Sequence, residues 1–291
     1  MNPSIARPPF PCRQIGDFSV IALSDGTLSA GLDLLSNLLS NIDVDAAAGI
    51  MQRAGVPAPS DVNINCYVIR GGGRTVLVDA GAGGFRNWGG LLPAALPQAG
   101  IDARDIDTIL LTHAHPDHIG GLLDARGQPA FPRAEVLIHE RERAFWLDHD
   151  AYERASERAR GNFELARRAF DACRAQLRTI AGGNVLPGIA AVPLPGHTPG
   201  HTGYRVESRG ERLLIWGDLV HFAPVQVAHP DVSIAFDHDA SLACATRAAT
   251  LAHAAGENLM IAGMHLADTG FARIARAHGA TDGAYALVAT D

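Results

Sequence analysis

The sequence predicts an α+β fold in which two β-sheets pack face to face and helices cover the outer surfaces. Two observations support this prediction. The 291-residue chain divides into two halves, and in each half short apolar runs typical of strands are followed by a stretch typical of helices. Histidine and aspartate residues directly follow several of the predicted strands. This arrangement is expected where a site is built along one edge of a sandwich.

The first half begins with a proline-containing arm over residues 1–16, after which a single domain is predicted over residues 17–291. Its first strand runs from Asp17 to Leu23 and ends at the turn residues Ser24-Asp25-Gly26. The three glycines at 71–73 permit a positive φ angle and predict a hairpin between two further strands. The predicted elements of this half are strands at Asn63–Arg70, Thr75–Asp79, Asp107–Leu111 and Ala134–His139, and a helix at Leu91–Ala99.

A helical insertion is predicted at about 140–182, between the two halves. The stretch Glu140–Ile180 is dense in Arg, Glu and Ala, which are good helix formers, and it predicts two helices. The second half then repeats the pattern of strands followed by a helix. Its predicted elements are strands at Ile189–Leu194, Thr202–Glu207, Arg212–Trp216, Asn258–Ala262 and Tyr285–Val288, and a helix at Asp239–Ala255.

Composition excludes several function classes. All 24 basic residues are arginine, so neither a Schiff-base lysine nor the lysine of a phosphate-binding loop is present. The net charge of −7 argues against a nucleic-acid partner and is compatible with a neutral small-molecule substrate. The N-terminal residues lack the apolar core of a secretory signal, and no run approaches the roughly 18 apolar residues that span a bilayer. We therefore expect a cytoplasmic protein without a membrane segment.

The strongest chemical signal is a cluster of ligand-type side chains that follows the predicted strand at Asp107–Leu111. His113 and His115 alternate along extended backbone and can reach one point, whereas Asp117 and His118 lie beyond Pro116 and can reach another. Imidazole and carboxylate groups suit a divalent ion such as zinc, and manganese, iron and cobalt accept the same ligands. These four residues are too many for one catalytic ion and too few for two.

Three further candidates follow other predicted strands, each one or two positions after a glycine: His197, Asp218 and His265. We assign His113, His115 and His197 to one metal ion. Asp117, His118 and His265 are assigned to the other. Asp218 is expected to bridge the two ions, because a carboxylate can offer one oxygen to each. The sequence therefore predicts a centre of two divalent ions, with Zn²⁺ as the first choice.

These residues resemble the metallo-β-lactamase fold superfamily. That family has the motif HxHxDH after a strand, then a later His, a bridging Asp and a final His, and all seven positions match. The upstream run 77–81, Leu-Val-Asp-Ala-Gly, resembles an early motif of the family and implies that Asp79 contacts the metal ligands from behind. The resemblance covers about residues 17–270 and implies a four-layer αβ/βα sandwich with the metals at one edge.

Several stretches resemble one branch of this family, the methyl parathion hydrolases and related lactonases. They include His115–Leu122, Phe145–Leu147 and the run 195–202, Pro-Gly-His-Thr-Pro-Gly-His-Thr. This resemblance implies a homodimer and an aromatic pocket for the leaving group, to which Trp146, Phe85 and Phe163 are assigned. The branch's organophosphate hydrolases are commonly exported, whereas this chain shows no export signal, so lactone hydrolysis is the more expected activity.

The predicted function is hydrolysis of a lactone, ester or phosphotriester by a hydroxide bridging the two ions, with Asp117 and Asp218 as the catalytic carboxylates. One alternative is a thioesterase similar to glyoxalase II, which is disfavoured because only Arg273 and Arg276 could form the C-terminal basic patch that glutathione requires. The other is a non-catalytic metal-binding member of the fold. The intact set of ligands argues against that alternative.

Overall fold

The computed structural model of the chain describes residues 10–28, 38–56, 61–267, 269–277 and 284–290. The elements of the first half are β1 (Cys12–Ile15), β2 (Phe18–Leu28), β3 (Leu39–Ser40), α1 (Val44–Arg53), β4 (Val62–Gly71), β5 (Arg74–Val78), α2 (Leu92–Gln98), β6 (Thr108–Leu110), α3 (Pro116–Ile119), β7 (Glu135–His139), α4 (Glu140–Leu147), α5 (His149–Arg154) and α6 (Glu157–Ala172). Those of the second half are β8 (Leu177–Ile180), β9 (Gly183–Leu186), β10 (Ile189–Pro193), β11 (Thr202–Ser208), β12 (Glu211–Ile215), α7 (Ala223–Ala228), β13 (Ser233–Ile234), α8 (Ala240–Gly256), β14 (Met260–Ala262), β15 (Phe271–Arg276) and β16 (Tyr285–Ala289).

Two seven-stranded sheets form the centre of the fold. Their strand orders are β1-β2-β4-β5-β6-β7-β8 and β16-β15-β14-β12-β11-β10-β9, and a two-stranded sheet pairs β13 with β3. Strands β5 to β8 run parallel, as do β12 and β14, and the remaining neighbours in the large sheets are antiparallel. No helix of the described residues has both the length and the apolarity to cross a bilayer.

The alternation of side chains along the strands builds the layers. In β5, Val76 and Val78 belong to the core between the two sheets, whereas Leu77 belongs to the core beneath α2, α4 and α6. In β12, Ile215 faces the inter-sheet core and Leu214 packs in the cluster that contains Leu251 of α8. Helices therefore cover both sheets from outside. This arrangement confirms the predicted four-layer αβ/βα sandwich.

The hairpin predicted from the glycine run is confirmed. Strand β4 pairs antiparallel with β5, and the two residues between them, Gly72 and Gly73, have φ angles of 58° and 74°. This left-handed conformation at both turn positions costs glycine no Cβ clash.

The predicted helical stretch differs from the structure in number and extent. It contains three helices rather than two, and its last residues form β8, which pairs parallel with β7. A polar residue caps the start of the second helix and another caps the start of the third. Asp148 accepts a hydrogen bond from the amide of Ala151 at 2.7 Å, and Ser156 accepts one from the amide of Ala159 at 3.3 Å.

The N-terminal arm also differs in part from the prediction. Residues 1–9 lie outside the described part of the chain, but Cys12–Ile15 is strand β1 at the edge of the first sheet. The side chain of Ile15 is buried, and the guanidinium of Arg13 donates to the backbone of Thr290 at 2.9 Å. The arm therefore joins the sheet before residue 17.

Candidate metal centre

The seven predicted ligands meet at one edge of the sandwich, in the loops that follow four strands. The loop after β6 carries His113 and His115, and the short helix α3 that continues it carries Asp117 and His118. The remaining three ligands follow β10, β12 and β14: His197, Asp218 and His265. Strands β6, β10, β12 and β14 end at this edge, so a few residues beyond each strand bring the side chains together.

The ligands form two groups that share Asp218. The first group is His113, His115, His197 and Asp218, and the second is Asp117, His118, Asp218 and His265; in each, one nitrogen or oxygen atom per residue lies within 4.8 Å of the others. The groups agree with the division made from the sequence.

In the first group the ring nitrogens converge. Nδ1 of His115 lies 2.9 Å from Nε2 of His113 and 2.9 Å from Nε2 of His197. A ring proton could satisfy only one of these two contacts. A cation among the three nitrogens would satisfy all of them, because the lone pair of a neutral imidazole is a metal ligand.

The second group leaves buried polar atoms without partners. Nε2 of His118 and Oδ1 of Asp218 have no hydrogen bond within the described residues, although they lie 3.2 Å apart. Oδ2 of Asp218 lies 3.0 Å from Nε2 of His265. Buried nitrogen and oxygen atoms are normally paired, so these unpaired metal-binding atoms require an ion or another partner. The residues of both groups therefore fit two divalent ions.

The protonation states of His113, His115 and Asp218 suit metal binding. Burial lowers the pKa of His113 and of His115 well below the usual histidine value, with a further contribution from neighbouring histidines, so both rings are neutral. Burial alone would raise the pKa of Asp218, but the charges of His118 and His265 outweigh it and hold that pKa well below its usual range. The carboxylate between the two groups is therefore ionised.

Asp79 supports the second group from behind. This buried residue follows β5 with a φ angle of 58° and accepts hydrogen bonds from the amide and the hydroxyl of Thr112, each at 2.7 Å. Its Oδ2 lies 2.7 Å from Nδ1 of His118. A proton held on Nδ1 leaves Nε2 free to face the centre, as metal-ligating histidines require.

The backbone carbonyl of Asn63 and the carboxylate of Asp237 orient two other rings. Nδ1 of His265 lies 2.6 Å from the carbonyl oxygen of Asn63, and Nδ1 of His197 lies 2.9 Å from Oδ1 of Asp237. In both cases Nδ1 is the donor, so Nε2 keeps its lone pair for a metal. Sequence analysis did not identify Asp237, which lies 40 positions from the histidine that it orients.

Glu142 is another residue beside the ligands that sequence analysis missed. Its fully buried carboxylate accepts hydrogen bonds from the amides of Ala114 and Gly200 at 3.0 Å, the hydroxyl of Thr198 at 2.7 Å and Nε1 of Trp146 at 2.6 Å. It therefore ties the loop of His113 and His115 to the loop of His197. An acidic residue in an Arg- and Glu-rich helix gives no sequence signal for such a role.

Two further histidines contact Asp218. Nδ1 of His201 donates to the carbonyl of Leu194 at 2.8 Å, so its Nε2 accepts from the amide of Asp218 at 2.9 Å; burial lowers the pKa of His201 to about 3. A Cβ atom on Gly217 would lie 2.5 Å from that Nε2, so only glycine fits there. Nε2 of His221, a residue that sequence analysis left without a role, lies 3.0 Å from Oδ2 of Asp218.

A cavity of about 240 Å³ opens onto both groups. The floor of the cavity includes Asp117, Asp218 and His221. The cavity is also lined by Trp88, Arg86 and Arg158. Much of its wall is apolar and comes from Leu28, Leu38, Val62, Phe222, Ile234 and Phe236. Most of these apolar residues also pack around α1, α7 and the small β3–β13 sheet. These elements therefore form one side of the cavity.

The three aromatic residues assigned to the pocket do not line this cavity. Trp146 and Phe163 are buried in the core beneath the helices with ring centroids 4.7 Å apart, and Phe85 packs against that core. Trp146 is nevertheless close to the first group, because its ring centroid lies 5.4 Å from that of His115. It supports a predicted ligand from below.

The chain belongs to the metallo-beta-lactamase superfamily, whose sequence model matches residues 59–255. Among curated proteins, it is 34% identical over 160 residues to the uncharacterised protein YobT of Bacillus subtilis (strain 168), covering 55% of this chain and 63% of that protein. It is 30% identical over 157 residues to the atrochrysone carboxyl ACP thioesterase of Passalora fulva, covering 54% of this chain and 38% of that enzyme. The matches thus span less than two thirds of either relative.

Several solved structures match over almost the whole chain, and two of them have a TM-score of 0.89. One is the hydrolase AbOPH of the beta lactamase superfamily, with a TM-score of 0.89, 29% identity and 97% coverage of both chains. The other is AidC, a dizinc quorum-quenching lactonase in complex with a product, with a TM-score of 0.89, 26% identity and 97% coverage of both chains. The similarity to both neighbours therefore extends over nearly the whole chain.

Proposed function

We propose that the chain is a metal-dependent hydrolase of lactones or related esters that uses two divalent ions, with zinc as the first choice. The observation that carries this proposal is the pair of ligand groups sharing Asp218 at the floor of a partly apolar cavity. The similarity to a dizinc lactonase and to a hydrolase over 97% of the chain supports it.

The residues have distinct parts in this chemistry. His113, His115 and His197 would hold one ion, Asp117, His118 and His265 the other, and Asp218 both. Bound ions would supply a water nucleophile at neutral pH and positive charge for the oxygen of the scissile carbonyl. Asp117 lines the cavity, and its carboxylate, kept ionised by His118 against the effect of burial, can receive a proton and pass it to the leaving group.

The surrounding residues hold the ligands in place. Asp79, Asp237 and the carbonyl of Asn63 keep protons on the outward ring nitrogens, while Glu142 fixes two ligand loops. The apolar wall excludes water from the acyl part of a substrate and favours apolar groups there. A phosphotriester would be hydrolysed at the same centre, so the substrate test includes one.

A thioester substrate is the second candidate, because one curated relative is named an acyl carrier protein thioesterase. The centre would act on a thioester as on an ester, since both present a carbonyl carbon to water. The substrate panel therefore has to include thioesters.

The direct test measures metal content and hydrolysis on the purified protein. We expect about two ions per chain and turnover of acyl-homoserine lactones or aryl esters that disappears with chelation and returns with added Zn²⁺. Fewer than about one ion per chain after metal loading, with no hydrolysis of lactones, aryl esters, thioesters or methyl parathion, would overturn the proposal. Sedimentation analysis of the same sample tests the predicted homodimer.

A further inference from the structure

Two arginines line the cavity that opens onto the metal centre, although the chain as a whole carries a net charge of −7. Arg86 comes from the turn Phe85–Asn87 and Arg158 from the first turn of α6, so residues far apart in sequence place positive charge in one place. The rest of the wall is largely apolar. The positive charge is therefore a local feature that net charge does not reveal.

The position of Arg86 is built into the fold. Its φ angle is 51° and that of Asn87 is 63°, so two consecutive residues other than glycine adopt the left-handed conformation. Its guanidinium carbon lies 5.0 Å from the ring centroid of Phe85. A Cβ atom on Gly161 would come within 3.0 Å of Nη2 of Arg86, so the glycine in α6 leaves room for this guanidinium.

The second guanidinium lies next to the first. Nη2 of Arg86 donates to the backbone oxygen of Arg158 at 3.3 Å, and the guanidinium carbon of Arg158 lies 4.9 Å from the ring centroid of Phe236. Partial burial lowers the pKa of Arg158, and the positive charge of Arg86 lowers it further. The two side chains therefore repel each other where they are held.

Neither arginine has a direct ion-pair partner in the described part of the chain. No carboxylate of those residues forms an ion pair with either arginine. Beside them, Asn162 also lines the cavity, and its Oδ1 is buried without a hydrogen-bond partner among the same residues. Two adjacent cations and one unpaired acceptor facing a cavity are a site for an anion that carries an N–H or O–H group nearby.

We propose that Arg86 and Arg158 bind the carboxylate of the substrate, so that the preferred substrate is an anionic ester or lactone whose scissile carbonyl lies on the metal centre. The inference rests on the proposed function, because it names the substrate class of the same site. The reaction is ordinary hydrolysis: water adds to the carbonyl carbon, the bond from that carbon to the leaving oxygen breaks, and the leaving oxygen takes a proton. The distal carboxylate of the substrate is unchanged by the reaction and positions the acyl chain.

The test compares two esters that differ only in the distal group, which is charged in one and methylated in the other. The mono-4-nitrophenyl ester of adipic acid has a free carboxylate, and its methyl-capped analogue has the same length and leaving group. We expect the Zn²⁺-loaded protein to have a kcat/KM about tenfold or more higher for the free acid, as a charge-assisted hydrogen bond provides. In the double variant Arg86→Gln/Arg158→Gln the ratio of the two values should fall to about 1. Arg168→Gln, an exposed position on the same helix, should keep the ratio.

Equal kcat/KM values for the two esters in the unmodified protein would overturn the inference while leaving the hydrolase proposal intact. So would a preference that survives in the double variant. If neither ester is hydrolysed, calorimetry with monomethyl adipate separates the two proposals. Binding that is about tenfold weaker in the double variant supports the anion site. Equal binding by the two proteins overturns it.

Discussion

The floor and the mouth of the cavity are built on different physical principles. At the floor, the ligands other than the partly exposed His115 are buried, and three of the ligand imidazoles are oriented by short hydrogen bonds from several loops. At the mouth, Arg86 and Arg158 are exposed side chains on a turn and a helix end. The floor therefore has one arrangement that suits one chemistry, whereas the mouth can vary without disturbing it. Changes at the floor should affect every substrate alike, and changes at the mouth should distinguish between substrates.

The largest effect is expected for Asp218→Ala, which removes the carboxylate shared by both ligand groups. Hydrolysis of every substrate should fall by at least about a thousandfold, because both proposed ions would lose a ligand and the spacing between them would no longer be fixed. Metal analysis should show less than the full two ions. His265→Ala is the companion variant and should lose one ion only. Full activity and full metal content in His265→Ala would show that the second group is assigned wrongly.

Glu142→Gln tests whether the floor depends on residues that touch no metal. The amide nitrogen of glutamine cannot accept the hydrogen bonds that one carboxylate oxygen accepts from Thr198 and Gly200 or from Ala114 and Trp146. We expect metal affinity to fall by about 10- to 100-fold and the free energy of unfolding to fall by about 2–4 kcal/mol.

Competition with a chelating dye and thermal unfolding would measure these two losses. The matched control is Glu140→Gln on the same helix, because Glu140 is exposed. It should change neither quantity. If Glu142→Gln behaves like this control, the two ligand loops do not depend on the buried carboxylate.

A smaller and selective effect is expected for Trp88→Ala at the mouth. Trp88 lines the cavity and is half-buried, so its loss removes apolar contact with bound substrate. The kcat/KM for a hexanoyl ester should fall by about tenfold, with little change for an acetyl ester and none in metal content. Comparing the two esters in one assay checks this. An equal loss of kcat/KM for the two esters would show that Trp88, like the floor residues, affects every substrate alike.

The smallest catalytic effect is expected for Trp146→Phe, although the family resemblance assigned Trp146 to the pocket. Phenylalanine keeps most of the packing but loses the donor to Glu142, so the free energy of unfolding should fall by about 1–2 kcal/mol. The KM for small esters should stay unchanged because Trp146 does not line the cavity. A several-fold change in KM without loss of stability would instead show that Trp146 contacts the substrate.

The ligand positions were the part of the site most accessible from the sequence. His113, His115, Asp117 and His118 stand within six residues, and each remaining ligand follows a strand that its apolar pattern reveals. Apart from Asp79, the residues that hold them were not accessible in this way. Glu142 resembles any acidic residue of a charged helix, and Asp237 stands in a loop without a motif. Their roles follow from contacts between segments that lie 28 to 58 positions apart.

The sequence by itself determined the layered architecture and the type of chemistry, because both depend on local patterns: alternation along strands, turns at glycines, and metal-binding side chains where strands end. The tertiary structure decided what surrounds that chemistry. It moved Trp146 and Phe163 into the core and brought Arg86 beside Arg158 in the cavity. Which side chains meet across loops depends on how the helices pack on the sheet, and no short stretch of sequence carries that information.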